Sequence, residues 1–156
     1  MKRIIVLLIS LTWMVSCGPA KVYDYEIHCI KTGENGLQIV KVFSYGKSVE
    51  KASVQCKKNA VHGAIFKGIS GGSCRPNPPI VGMDKYETNK AYFDEFFSSG
   101  KYLQFVTLSG DGSIAPNDRL KTSNGYKVGL PVVVRYDALR KKLENDGIAR
   151  ALNQGF

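Results

Sequence analysis

Residues 1–17 are the feature that most limits which part of this chain can belong to a folded domain. Lys2 and Arg3 give it a positive start, and residues 4–15 form a 12-residue, mostly apolar run. That length fits the apolar core of a secretory signal peptide. It falls short of the ~20 residues that a membrane-spanning helix needs. We therefore expect an export signal at residues 1–16 and a folded part that begins beyond it.

The apolar run ends in a cysteine. Met14-Val15-Ser16-Cys17 resembles the lipobox of bacterial lipoproteins, in which a small residue precedes an invariant cysteine, and Met14 stands where that family most often has Leu. The resemblance implies acylation of the Cys17 thiol, cleavage before Cys17 and acylation of the new amino group. Several acyl chains at one position are sufficient for stable attachment to a lipid bilayer. Residues 17–22 would then be a lipidated tether, and residues 23–156 a single domain.

The residues after Cys17 bear on which membrane holds the anchor. Gly18 is not the aspartate that keeps enterobacterial lipoproteins in the inner membrane, so the resemblance favours the outer membrane. The Gly-Pro-Ala-Lys that follows Cys17 is not the acidic cluster that directs some lipoproteins to the cell surface, so we expect the domain to face the periplasm. Ordinary signal cleavage after Ala20 is the alternative, and it would leave a soluble periplasmic protein.

The charge of the processed chain favours anionic partners. Removal of residues 1–16 leaves 140 of 156 residues, with 20 of the 22 basic residues and all 13 acidic ones. This length is enough for one domain with its own core. In the envelope, a basic domain favours anionic lipid headgroups, lipopolysaccharide phosphates or acidic proteins. We expect no nucleic-acid partner, because of the compartment and because no nucleic-acid-binding motif is present.

The cysteines allow little cross-linking. A lipid on Cys17 leaves Cys29, Cys56 and Cys74, an odd number that permits at most one disulfide. Cys29 and Cys56 fall on apolar faces of a predicted strand and helix, as core residues in contact or bridged. Cys74, in a predicted loop, is favoured as the pairing or reactive thiol. Neither C-x-x-C nor H-x-x-x-H spacing occurs, so we expect no metal site.

The hydrophobic pattern predicts alternating groups of strands and helices. It indicates strands at residues 23–31, 37–45, 102–109 and 126–135, and helices at residues 47–67, 84–99 and 137–146. Asp84 and Asp137 are predicted helix caps, and residues 68–82 and 109–125 are predicted loops. The ββα-αββα order predicts an α+β two-layer sandwich, with a mostly antiparallel sheet of about four strands and helices packed on one face.

Two motifs that could mark an enzyme lack the context that they require. Residues 68–72 match G-x-S-x-G, but a helix precedes Ser70 and both histidines precede it in sequence, unlike in α/β-hydrolases. Residues 110–115 match G-x-G-x-x-A, but no helix opens there to hold a dinucleotide phosphate. The acidic residues are scattered along the chain. We therefore predict no catalytic residues and no cofactor.

Two groups of side chains are candidate contacts instead. Lys47, Lys51 and Lys58 fall on the polar face of the first predicted helix and could meet a partner or an anionic surface. Tyr92 and Phe96 fall beside the apolar stripe of the second helix and could meet a partner or a lipid surface.

Further segments strengthen the resemblance to envelope lipoproteins. With the lipobox, the predicted hairpin, the helix that begins near Ser48 and the late segment 132–144, the chain looks like small bacterial envelope lipoproteins of uncharacterised function. More distantly it is similar to lipoproteins linked to flagellar assembly, without implying a flagellar role. We expect a non-catalytic lipoprotein that binds another envelope component, in an assembly or as an accessory factor. The alternative is a small-ligand or glycan-binding protein that uses loops 68–82 and 109–125. An envelope hydrolase comes third.

Overall fold

A computed structural model describes residues 24–151, so the predicted signal, Cys17 and the rest of the predicted tether lie outside the described residues. The strands are β1 (Glu26–Thr32), β2 (Leu37–Gly46), β3 (Val106–Leu108), β4 (Arg119–Thr122) and β5 (Gly125–Arg135). The helices are α1 (Val49–His62), α2 (Asp84–Thr88), α3 (Lys90–Ser98) and α4 (Tyr136–Asn145). A π-helical turn (Gly63–Lys67) continues α1, and short 3₁₀ segments lie at Lys101–Phe105 and Pro116–Asp118.

The strands form one antiparallel sheet in which β5 is central. β2 pairs along one edge of β5, and β1 pairs with the far edge of β2. On its other edge, β5 pairs with β4 near its start and with β3 near its end. Val40 and Val42 are fully buried, whereas the alternate residues Lys41 and Phe43 are only half-buried on the opposite face. The predicted α+β class is confirmed.

Small side chains let α1 lie close to this sheet. Ala52, Cys56 and Ala60 have no exposed surface and face β2 and β5. The Cys56 thiol lies 3.2 Å from the carbonyl oxygen of Val42 and 3.4 Å from that of Val128. At such distances a larger residue would not fit without moving the backbone. The predicted small-residue stripe of this helix is confirmed.

The predicted helix boundaries need three corrections. The first helix ends at His62 rather than Lys67, and its continuation is π-helical. The second is broken at Asn89 into α2 and α3. The predicted caps are wrong, because Asp84 and Asp137 lie inside the first turns of α2 and α4, after Met83 and Arg135. In a first turn, an aspartate still interacts favourably with the helix dipole.

The predicted third strand and the loop after it are also corrected. Only Val106–Leu108 is extended, because Tyr102 and Phe105 turn into the core from the 3₁₀ segment that precedes β3. The predicted loop 109–125 contains β4, which forms a hairpin with β5 and brings the sheet to five strands. All of β4 is at least partly exposed, so its sequence carries no alternating pattern.

A disulfide and backbone hydrogen bonds hold loop 68–82 against β1, the edge strand of the sheet. A disulfide joins Cys29 of β1 to Cys74, whereas Cys56 is free and buried, so the alternative of a Cys29–Cys56 bridge is wrong. The Cys29 backbone N–H donates to the carbonyl of Gly71, and the Ser73 N–H donates to the carbonyl of Cys29, both at 3.2 Å. The loop therefore covers the middle of an edge strand that would otherwise expose backbone groups.

Candidate functional site

One line of side chains follows the outer surface of α1. Lys51, Val54 and Lys58 are spaced by three and four residues, which places them on one side of α1, and Lys47 lies just before the N-cap residue Ser48. Lys51 and Val54 are exposed opposite the buried stripe of α1, Val54 by 58%, whereas Lys58 is half-buried with its ammonium 5.6 Å from the centroid of the Phe97 ring. The predicted contacts Lys47, Lys51 and Lys58 are therefore on a common outer line, which we call the α1 lysine line.

The α1 lysine line carries an excess of positive charge. Residues 47–67 contain five lysines and a single carboxylate, that of Glu50. Hydrogen bonds from the backbone and from the Ser48 hydroxyl, together with the charge of Arg119, lower the pKa of Glu50, so this carboxylate is ionised. Among the ion pairs within residues 24–151, none involves Lys47 or Lys51. These two exposed ammonium groups can therefore meet an anionic surface.

The structure separates Tyr92 and Phe96 from the α1 lysine line. The Phe96 ring is 2% exposed, so its predicted exposure is wrong. It is stacked against Tyr92 and Phe105, with ring centroids 6.0 and 6.1 Å away. The 3₁₀ segment that carries Phe105 packs against α3. Phe96 is thus part of the core.

Tyr92 belongs to a small groove between α3 and α4. The groove has a volume of about 280 Å³ and is lined by Tyr92, Glu95, Phe96, Lys101, Gln104, Lys142 and Asp146. The Tyr92 hydroxyl donates to the Asp146 carboxylate at 2.5 Å, and burial together with this bond raises the pKa of Tyr92. Both lysines of the groove are paired, Lys101 with Glu95 at 3.1 Å and Lys142 with Asp146 at 2.6 Å. The Tyr92–Asp146 bond joins α3 to the end of α4, and the charged groups of the groove are paired with one another.

No α-helix of residues 24–151 covers the face of the sheet that lies opposite α1. Lys41, Phe43 and Tyr45 of β2 alternate with the buried residues of that strand, and Lys127 and Gly129 lie beside them on β5. The Phe43 ring lies against Gly129, where an added Cβ would come within 2.5 Å of a ring carbon. The Lys127 ammonium is 5.4 Å from the Phe43 centroid and 5.7 Å from that of Tyr45. Together with Glu26, His28 and Asp118, these residues form what we call the sheet face.

Charges on the sheet face are arranged in pairs around Phe43. Lys127 is 2.7 Å from Glu26, and Lys41 is 2.7 Å from Asp118. The hydrogen bond and charge of Lys127 lower the pKa of Glu26, and the same bond raises the pKa of Lys127. The surface therefore combines an aromatic centre with fixed charges of both signs. Sequence alternation places Lys41, Phe43 and Tyr45 together, but not their neighbours on β5.

Residues 24–151 give little support to a metal site, a membrane-spanning helix or a ligand site formed by the two long loops. No group of three or more His, Cys, Asp or Glu side chains within residues 24–151 could hold a metal ion. In the same part of the chain, no helix is long and apolar enough to cross a membrane. Loop 68–82 lies along β1 and loop 109–125 contains β4, so β2 and β5 separate the two loops. The predicted ligand site that would use both loops is therefore not favoured.

Comparison with known proteins gives no further guide to the site: no protein-family model matches the chain, and no similar curated protein or solved structure was found.

Proposed function

We propose that this chain is an exported lipoprotein, anchored through Cys17, whose domain binds another component of the bacterial envelope without catalysing a reaction. The observation that carries the proposal is the disulfide between Cys29 and Cys74. These cysteines are 45 residues apart in sequence, and the fold brings their Cα atoms to 5.7 Å. Structural disulfides persist in oxidising compartments such as the periplasm and are rare in the cytosol. The disulfide thus supports export independently of residues 1–17.

The sheet face is the surface that we propose to meet the partner. The side chain of Tyr25, the first described core residue, packs towards the helix layer, with its hydroxyl 2.8 Å from Nδ1 of His62. An anchor on that side of the domain would leave the sheet face directed away from the bilayer. Aromatic side chains bordered by polar groups are typical of protein interfaces. The partner we propose is therefore an envelope protein whose charges complement Lys41, Lys127 and Glu26.

A photo-crosslinking amino acid at Tyr45, used in whole cells, tests this binding. Tyr45 is 47% exposed at the sheet face, and Leu103, which is 48% exposed in the helix layer, is the matched control position. We expect Tyr45, but not Leu103, to give one discrete crosslinked envelope protein. Crosslinks from neither position, or equally from both, would contradict the proposal.

A further inference from the structure

The end of α1 marks where the anchored segment joins the domain. The Tyr25 hydroxyl is 2.8 Å from His62, the last residue of α1. The ammonium of Lys67, five residues further along, lies 4.1 Å from the centroid of the Tyr25 ring. Both contacts hold Tyr25 beside the C-terminal end of α1. An anchor that precedes Tyr25 is therefore joined to the domain close to this end of α1.

The length of the tether brings all of α1 within reach of the bilayer. Cys17 and Tyr25 are eight residues apart. At no more than about 3.6 Å per residue, an extended chain of this length spans at most about 29 Å. The 14 residues of α1 extend for about 21 Å, so a helix lying along the membrane surface does not exceed this reach.

The outer line of α1 has the chemistry of a surface that meets lipid headgroups. Lys47, Lys51 and Lys58 flank the exposed Val54 on the outer side of the helix layer. Clustered lysines close to a bilayer are attracted to anionic lipids, and this attraction falls off within a Debye length. A lipid anchor supplemented by a basic patch holds a protein more firmly than one anchor alone.

We infer that the α1 lysine line docks on anionic phospholipid headgroups of the membrane that holds the anchor. This inference rests on the proposed attachment through Cys17. It gives the domain an orientation, with α1 against the headgroups and the sheet face directed into the periplasm. Docking would thereby hold Phe43, Tyr45 and Lys127 at a fixed distance from the bilayer.

Tryptophan fluorescence tests the docking, because Trp13 is the only tryptophan of the sequence and lies within the predicted signal. The full chain, expressed with its signal and purified from membranes, is reconstituted in bilayers whose acyl chains carry bromine near the headgroups. One variant is Val54→Trp on the α1 lysine line, and the matched variant is Tyr45→Trp on the sheet face. Both replaced side chains are exposed, by 58% and 47%, so neither substitution alters the core.

We expect phosphatidylglycerol bilayers to quench Val54→Trp strongly and Tyr45→Trp hardly at all. High salt or phosphatidylcholine alone should relieve the quenching, because the attraction is electrostatic. Adding Lys47→Glu and Lys51→Glu should weaken docking at least about tenfold. The control pair Lys31→Glu and Arg75→Glu, at the edge of the sheet with the same change of charge, should not weaken it.

Three results would overturn the docking: equal quenching at both positions, quenching of Tyr45→Trp alone, or no dependence on lipid charge. The wild-type chain, measured in parallel, separates these results from failure of the proposed function. Indole emission from the wild type would show that Trp13 is retained, and thus that export processing at Cys17 has not occurred.

Discussion

Replacing Cys29 and Cys74 by serine is expected to lower the free energy of unfolding by about 4 kcal/mol. The disulfide closes a loop of 45 residues, and opening it restores that chain entropy to the unfolded state. It also removes the covalent link between loop 68–82 and β1. Domains of this size are stable by only about 5–15 kcal/mol, so the loss is a large share of the total. Denaturant unfolding of the oxidised wild type and the double variant measures it.

A reductant provides the control for this prediction. Reduction should lower the unfolding midpoint of the wild type to that of the double variant and leave the variant itself unchanged. Cys56 is buried and unpaired, so it does not contribute to a reductant effect. Equal midpoints for the oxidised wild type and the double variant would show that the two cysteines are not joined in the folded protein.

Acid is expected to destabilise the domain through His62. Burial, together with the charges of Lys67 and Lys58, lowers the pKa of His62 from 6.5 to about 3. The folded state therefore holds the imidazole neutral while the unfolded chain takes up a proton. The free energy of unfolding contributed in this way is fully present above pH 6.5 and is lost as the pH falls towards 3. Between pH 7 and pH 4 we expect a loss of about 3 kcal/mol.

Two histidine variants isolate this effect in denaturant titrations at each pH. His62→Gln keeps an acceptor for the Tyr25 hydroxyl but cannot take up the proton, so its stability should change less between pH 7 and pH 4. His28→Gln should retain the wild-type change, because the His28 side chain is 53% exposed. If His62→Gln keeps the full dependence on pH, the buried imidazole is not its source.

The sequence predicts those parts of the fold whose side chains show a strong periodic pattern. Buried and partly exposed residues alternate along β2, β5 contains a continuous apolar run, and the small residues of α1 recur at helical spacing. The sequence therefore predicts the positions of these three elements to within a few residues. β4 could not be found in this way, because its position depends on pairing with β5 and none of its residues is buried. Phe96 was misplaced because the chain that covers it returns as a 3₁₀ segment rather than a strand.

A candidate surface can be predicted from the sequence only where its residues lie on or next to a single helix or strand. Lys51 and Lys58 share α1 and Lys47 lies just before its start, so their spacing in the sequence is enough to place them together. The sheet face joins Phe43 to Gly129 and Lys127, which are more than 80 residues away in sequence and become neighbours through the pairing of β2 with β5. The sequence does not determine which cysteine pairs with Cys74 for the same reason, because tertiary structure sets the path of loop 68–82 past β1.

The intact mass of the protein extracted from bacterial membranes tests the central claim, attachment through Cys17, most directly. We predict a chain that begins at Cys17, carries the mass of its acyl groups and contains one disulfide among its remaining cysteines. A mass equal to that of the unmodified 156-residue chain, or of an unacylated chain that begins after Ala20, would contradict the account.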